Sequence, residues 1–330
     1  MEISCAFPPV PETPDHVALA EELGYVRAWV YDTPALQLDC WMTLALAAVR
    51  TSRIELGPGV LIPSLRHPLV TAAAVATLVG LAPGRVVLGI GTGFTGRRAM
   101  GQKPLRWADM GDVVGTLRAL LRGETVDVEG QPVRMLHWEG QAPARPIEVP
   151  VMLGVNGPKG QATAASLGCG VLISRPRPGA GFDDVPSATL LAFGTVLEPG
   201  ESPGDPRVLD AAGPGAAVAY HAFLEQADAR LDTLPNSGRF LELARALPER
   251  ERHLHLHEGH LTRLNAIDRQ VLVGEVVERV TLTGTAEQVR ERVDALAGQG
   301  ITEIAFQPMG DDIPRELRAF AAAARLPAAR

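Results

Sequence analysis

Three groups of residues in this chain have the types and spacing to do chemistry: two glycine-rich turns and a histidine cluster. In the run Arg85-Val-Val-Leu-Gly-Ile-Gly-Thr-Gly-Phe-Thr-Gly96 an apolar strand pattern leads straight into glycines. Glycine lacks a Cβ, so backbone N–H groups there can approach an anion closely, which points to a phosphorylated cofactor. A second run, Gly154-Val-Asn-Gly-Pro-Lys-Gly160, follows a strand pattern and precedes a helical one. Its amides and the helix N-terminus could hold a phosphate. Lys159 could add a charge or simply stand in solvent. Gly91, Gly93 and Gly96 also fit the dinucleotide fingerprint G-x-G-x-x-G, which needs a helix at once and an acidic residue about 20 positions on. Pro104 and Trp107 interrupt any immediate helix, and Asp109 and Asp112 sit in a helical pattern, so a Rossmann fold is disfavoured. A glycine-rich strand end with no ligand is the plainer alternative.

Asp32, closing Trp29-Val-Tyr-Asp32, could hydrogen-bond a heterocycle or act as an acid or base. It could equally cap the turn at Thr33-Pro34. Gly57-Pro-Gly59 interrupts a strand-like run, where glycine marks a bulge or a close ligand approach. His253, His255, His257 and His260 invite a metal reading, because on a helix His253, His257 and His260 would share one face. No H-E-x-x-H order and no nearby cysteine accompany them, and no metal is expected. We expect His257 and His260 to line a pocket, binding substrate or moving a proton. Exposed loop histidines are the plainer alternative.

The elements that must position these residues alternate along the chain. Strand patterns cover Ile3–Phe7, Arg27–Tyr31, Ile54–Leu61, Val86–Ile90, Val151–Gly154, Val171–Ser174, Ala188–Leu197 and Glu303–Gln307. Helical patterns cover Asp15–Leu23, Cys40–Val49, Pro68–Val79, Met110–Leu121, Gln161–Leu167, Ala217–Arg230, Arg239–Leu247, Glu287–Leu296 and Arg315–Arg325. Successive β-α units imply parallel strands with right-handed crossovers. Eight strands predict a (β/α)8 barrel, whose active site lies at the strands' C-terminal ends. Glu124–Trp138 reads as a small hairpin, and Arg175–Pro186 and Glu198–Pro214 read as long loops. The chain is expected to be one domain over 1–330, with an excursion at about 198–280.

Composition excludes several classes. With 46% hydrophobic and 21% charged residues, the chain reads as a globular enzyme. No apolar run reaches the roughly 18 residues of a membrane span, and no basic-then-apolar leader opens the sequence, so a cytoplasmic protein with no membrane contact is expected. A net charge of −7 argues against broad nucleic-acid binding. The expected partner is a small-molecule substrate, with a second copy of the chain as a homodimer. Cys5, Cys40 and Cys169 are far apart in apolar surroundings and read as buried free thiols. Only Lys103 and Lys159 are lysines among 31 basic residues, a bias of high-GC genomes.

Strand by strand, the chain resembles the luciferase-like family of flavin- and deazaflavin-dependent oxidoreductases. The matching pieces are Trp29-Val-Tyr-Asp32, Leu56-Gly-Pro-Gly-Val-Leu-Ile-Pro63 with His67-Pro68, Val87-Leu-Gly-Ile-Gly-Thr-Gly93, Met110 through Gly123-Glu124, Pro150-Val-Met-Leu-Gly-Val-Asn-Gly-Pro-Lys159 and Thr283-Gly-Thr-Ala-Glu-Gln-Val289. They keep the family's order and cover the chain except roughly 175–280. The resemblance implies a TIM barrel with insertions and a cis peptide at Gly59-Val60 bulging against the tricyclic ring. It implies that Gly91, Thr92 and Gly93, with Gly154, Asn156, Gly157 and Pro158, wrap the ribityl phosphate, and that Asp32 lies near the ring. The family's sugar-phosphate dehydrogenases carry His directly after that aspartate and Glu directly after Gly-Thr-Gly; here Thr33 and Phe94 stand there. That departure fits a less polar substrate. The expected function is a coenzyme F420-dependent oxidoreductase, moving a hydride between the deazaflavin and a small organic substrate. One alternative is a two-component monooxygenase using reduced FMN and oxygen, served by a flavin reductase. Another is a flavin-binding protein with no catalysis. The high-GC bias favours the deazaflavin, a coenzyme of actinobacteria and some archaea.

Overall fold

Each predicted strand forms, because short apolar runs bounded by Gly, Pro and Asp can bury both faces. The computed structural model describes residues 1–176, 179 and 181–327. Its strands are β1 (Glu2–Phe7), β2 (Arg27–Val30), β3 (Glu55–Pro58), β4 (Leu88–Gly91), the hairpin β5 (Val126–Val128) and β6 (Gln131–Val133), then β7 (Val151–Gly154), β8 (Gly170–Ile173), β9 (Ala188–Phe193) and β10 (Glu303–Gln307). Eight of them make one parallel sheet in the order β3-β2-β1-β10-β9-β8-β7-β4. Register is tight: Cys5 faces Ala28 on one side and Phe306 on the other.

The two end strands meet across a bulge. Leu61 N donates to Gly89 O at 2.7 Å and Gly91 N to Leu61 O at 2.9 Å, which closes the sheet into a barrel. Gly57 is part of this closure, since a Cβ there would lie 1.8 Å from the Val87 carbonyl oxygen. The larger core lies between strands and surrounding helices, while Ala6, Trp29, Tyr31, Val87, Met152 and Ala305 pack together as a separate cluster. At the N-terminal floor, Glu303 is 2% exposed and accepts from Ser4 Oγ, from Trp29 Nε1 at 3.3 Å and from Arg27. Cys5, Cys40 and Cys169 are buried and free, as expected.

The excursion is more helical than its composition suggests. The loop read over Glu198–Pro214 turns into a helix at Pro206, and that helix runs to Glu225 through Pro214. Pro206 sits in the first turn, where its missing N–H costs nothing. Gly213 and Gly215 let the helix lie close, because Cβ atoms there would fall 2.8 Å from Leu272 and 2.4 Å from Phe193. Further helices at Ser237–Ala246, Arg252–His257, Asp268–Val271 and Gly274–Val280 build a second core around Tyr220 and Phe240. Of the loop expected over Arg175–Pro186, residues 177, 178 and 180 lie outside the described residues. Among the described residues no helix is long and apolar enough to cross a membrane.

Candidate functional site

The barrel's C-terminal mouth is shaped by one peptide bond. Gly59-Val60 is cis, at the position the resemblance implied. Gly59 rests on Trp29, where a Cβ would lie 2.8 Å from Trp29 Cβ, and its amide donates to Val30 O at 2.9 Å. Val60 then reaches across the ends of β4 and β7. A Cβ on Gly91 would lie 2.4 Å from Val60 Cγ2, and one on Gly154 would lie 3.0 Å from Val60 Cγ1. These two strand-end glycines therefore make room for a side chain, a reason the sequence did not disclose. The result is an apolar ridge with the shape to back a flat ring.

Asp32 braces that ridge from beneath. It is 2% exposed and accepts from Ile62 N at 3.1 Å and from Arg66 Nη1 at 2.7 and 2.9 Å. Arg66 Nη2 reaches on to Asp39, which caps the helix Cys40–Arg50. The carboxylate is thus committed to a backbone amide and a guanidinium, in place of the Thr33-Pro34 turn. Nearby, burial pushes the Cys40 thiol up in pKa, and the negative charge of Asp32 adds to this.

The first glycine turn departs from expectation in one respect. Gly93, at φ +80°, caps a helix over Phe94–Arg98, so a helix does open at once. Pro104 and Trp107 only separate that short helix from the long one at Trp107–Arg122. Gly96 is a packing glycine, with 2.4 Å between a Cβ there and Ile62 Cδ1. Half-buried Thr92 offers its carbonyl to Leu105 N at 2.8 Å. At the second turn, Gly157 and Pro158 start the helix Pro158–Ser166, and no side chain caps it. Its first N–H groups have no partner within the helix. Nothing lies within 4 Å of a Cβ built on Gly157, and Asn156, Pro158 and Lys159 are exposed. Asn156 Oδ1 accepts from Ser174 N at 3.2 Å and Ser174 Oγ at 2.8 Å, which ties this turn to the end of β8. An open helix N-terminus beside an apolar ridge fits a phosphorylated flavin-like group.

The histidines come together without the shared helical face that their spacing suggested. The helix Arg252–His257 stops before His260, so His253, His257 and His260 share no helical face. His255 is exposed, and His253 lies beside Gly101. His257 and His260 are buried, at 3% and 7% exposure, and they meet His221, which the sequence analysis passed over. Ring centroids lie 5.0 Å apart for His257–His260, 5.9 Å for His221–His260 and 6.3 Å for His221–His257. His221 Nε2 lies 2.8 Å from Asp268 Oδ1, and His257 Nε2 lies 2.7 Å from Glu225 Oε1. His260 has no carboxylate partner; burial, then the neighbouring His221 and His257, hold its pKa well below the ordinary value, so it is neutral at pH 7. No group of three metal-ligating side chains among the described residues is placed to hold an ion. A usable signal was present: His221 and Glu225 stand four apart in a helical pattern and so share a face.

One link joins this cluster to the mouth, and a second joins its more exposed side to the short helix Phe94–Arg98. Gln307, at the end of β10, donates to Leu261 O, next to His260, and accepts from the Tyr31 hydroxyl beside Asp32. Glu225 Oε2 lies 3.4 Å from Arg98 Nε, and the Arg98 guanidinium stands 4.7 Å from the centre of the Phe94 ring.

Comparisons with known proteins agree with this geometry. The chain is 27% identical over 324 residues to 5,10-methylenetetrahydromethanopterin reductase of Archaeoglobus fulgidus, covering 92% of this chain and 91% of that one. It is 34% identical over 198 residues to F420-dependent glucose-6-phosphate dehydrogenase of Kineococcus radiotolerans, 56% and 57% of the two chains. Among solved structures, the coenzyme F420 dependent tetrahydromethanopterin reductase from Methanopyrus kandleri superposes with a TM-score of 0.71 at 19% identity, over 99% of this chain and 100% of that one. The FMN-bound oxygenating constituent of 3,6-diketocamphane monooxygenase from Pseudomonas putida superposes at 0.62 with 14% identity, over 99% and 98%. The profile of the luciferase-like monooxygenase family matches residues 4–303, and the chain belongs to that family.

Proposed function

We propose that this oxidoreductase uses coenzyme F420 and moves a hydride between it and a small organic substrate. The observation that carries the proposal is the cradle itself. Val60 presents an apolar ridge between Gly91 and Gly154, and the uncapped helix at Gly157-Pro158 stands beside it. Gly59 and Val60 would back the ring, while Gly91, Thr92, Gly93, Gly154, Asn156, Gly157 and Pro158 would surround the phosphate. When bound, the deazaflavin supplies a two-electron hydride acceptor or donor; orientation and electrostatics are left to the protein. Asp32 holds the ridge in place through Ile62 and Arg66. His257 and His260 would serve the substrate, by binding it or by moving its proton. The F420-dependent relatives support the deazaflavin, and Phe94, standing where the sugar-phosphate dehydrogenases carry an acid, fits a less polar substrate.

The rival reading, a monooxygenase using reduced FMN with a flavin reductase as partner, is favoured by the FMN-bound structural relative. Titrating the protein with oxidised and reduced forms of F420 and FMN, then following oxygen uptake, separates the two. Tight F420 binding without oxygen consumption supports the proposal. Binding of reduced FMN alone, with oxygen-dependent turnover, overturns it.

A homodimer belongs to the same proposal. Met42, Leu46 and Val49 form one exposed apolar face on the helix Cys40–Arg50, with Leu38 and Val70 also exposed. A Met42→Glu, Leu46→Glu double variant should sediment as a monomer where the parent sediments as a dimer.

A further inference from the structure

Hydride transfer leaves a proton to account for. A neutral substrate that gains or loses a hydride and stays neutral must also gain or lose one proton. At the mouth, Asp32 is already committed to Arg66 and Ile62. The excursion, by contrast, buries three imidazoles whose Nδ1 atoms have no hydrogen-bond partner among the described residues: His221, His257 and His260. Leaving a buried polar atom unpaired costs about 1–3 kcal/mol. Three such atoms together are not a packing solution, because apolar side chains would fill the space at no such cost.

We propose that His260, His257 and Glu225 form a proton path between the substrate at the barrel mouth and bulk water, with His221 and Asp268 positioning His260. This deepens the hydride-transfer reading above and rests on it. His260 is the inner end, because it is the one histidine of the three without a carboxylate, and its neighbour Leu261 is bonded to Gln307 at the strand end. Its ring meets His257 edge-on at 5.0 Å, a gap that ring rotation or one bridging water spans. His257 hands on to Glu225 at 2.7 Å. Glu225 is the outer end, with 15% of its side chain exposed and Arg98 at 3.4 Å. His221 stacks on His260 at 5.9 Å and is itself anchored by buried Asp268, whose amide is held by Asn265 Oδ1.

In the oxidative direction, a bound deazaflavin would serve as acceptor for the C–H hydrogen of an alcohol or amine substrate, with both bonding electrons. The substrate gives its O–H or N–H proton to His260, and the electron pair left on the heteroatom closes the C=O or C=N bond. The proton then leaves through His257 and Glu225. Reduction runs the same path inward. A neutral His260 is the state able to take the first proton.

The test needs no substrate. In protein labelled with 15N-histidine, the exchange of ring N–H protons with solvent is followed by NMR, with and without bound F420, and His67 serves as an internal control. In the parent, the His260 ring proton should exchange despite its burial. Glu225→Gln should slow it at least tenfold, and so should His257→Phe, which keeps the space filled, with backbone amide exchange unchanged in both. Exchange that stays within twofold of the parent, or that accelerates, in the folded Glu225→Gln protein overturns the path. Failure to bind F420 overturns the cofactor reading alone, since the exchange measurement also runs without it.

Discussion

The floor of the barrel and the helical excursion both bury charged or titratable side chains, and they do so in opposite ways. Glu303 at the floor is surrounded by donors from Arg27, Ser4 and Trp29, and Arg27 is shared further with Glu55. Across the excursion, His221, His257 and His260 sit about as deep, yet each keeps an Nδ1 with no partner among the described residues. A saturated buried network holds structure, since removing any member leaves an uncompensated charge. An unsaturated one spends stability and so needs another reason to persist.

The largest effect should come from breaking the unsaturated side. His260→Leu should lower turnover of any substrate the parent accepts by about 10²–10⁴-fold, measured by the absorbance of F420. Because His260 makes no hydrogen bond to a carboxylate, the same change should leave unfolding free energy within about 1 kcal/mol of the parent in a urea titration. The floor should behave in reverse. Arg27→Met should cost about 3 kcal/mol of stability by leaving Glu303 without its guanidinium, with F420 affinity unaltered. If the two variants fail to separate in this way, the contrast between the regions is wrong.

A smaller effect locates the cofactor between them. Gly157→Val adds bulk into open space at a φ of −155°, so the fold should be kept while F420 affinity drops about tenfold, or 1.4 kcal/mol. Gly93 is a poorer probe, because its φ of +80° and its closeness to Ile62 would strain any side chain. The smallest effects are in pH. The folded state holds the pKa of His260 below its ordinary 6.5, so the unfolded chain binds a proton that the folded chain refuses, and stability falls as pH drops below 6.5. His260→Leu should flatten that step. Glu201 adds a later loss, because Arg207 holds its carboxyl at about 2 against an ordinary 4.5, and stabilisation disappears as pH falls through that window. Glu201→Gln should remove the second step and leave the first.

The sequence by itself determined the barrel. Eight short apolar runs, each followed by a helical pattern, had one economical closure, and Val151–Gly154 and Glu303–Gln307 appear with the boundaries their residues imply. Strand ends were legible because Gly, Asp and Asn there break both periodicities, which placed Asp32, Gly59, Gly91, Gly154 and Asn156 on one rim. Residue types also drew attention to His257 and His260, but a linear pattern could not pair them with His221, 36 and 39 positions earlier, because that contact depends on how helices of the excursion pack. Only the tertiary structure decided why Gly91 and Gly154 are glycine, since the side chain they admit, Val60, comes from the turn after β3. It alone decided that Asp32 is tied to Arg66, and that the stretch after Pro206 is helix despite Pro214, where close packing on Leu272 and Phe193 outweighs local propensity.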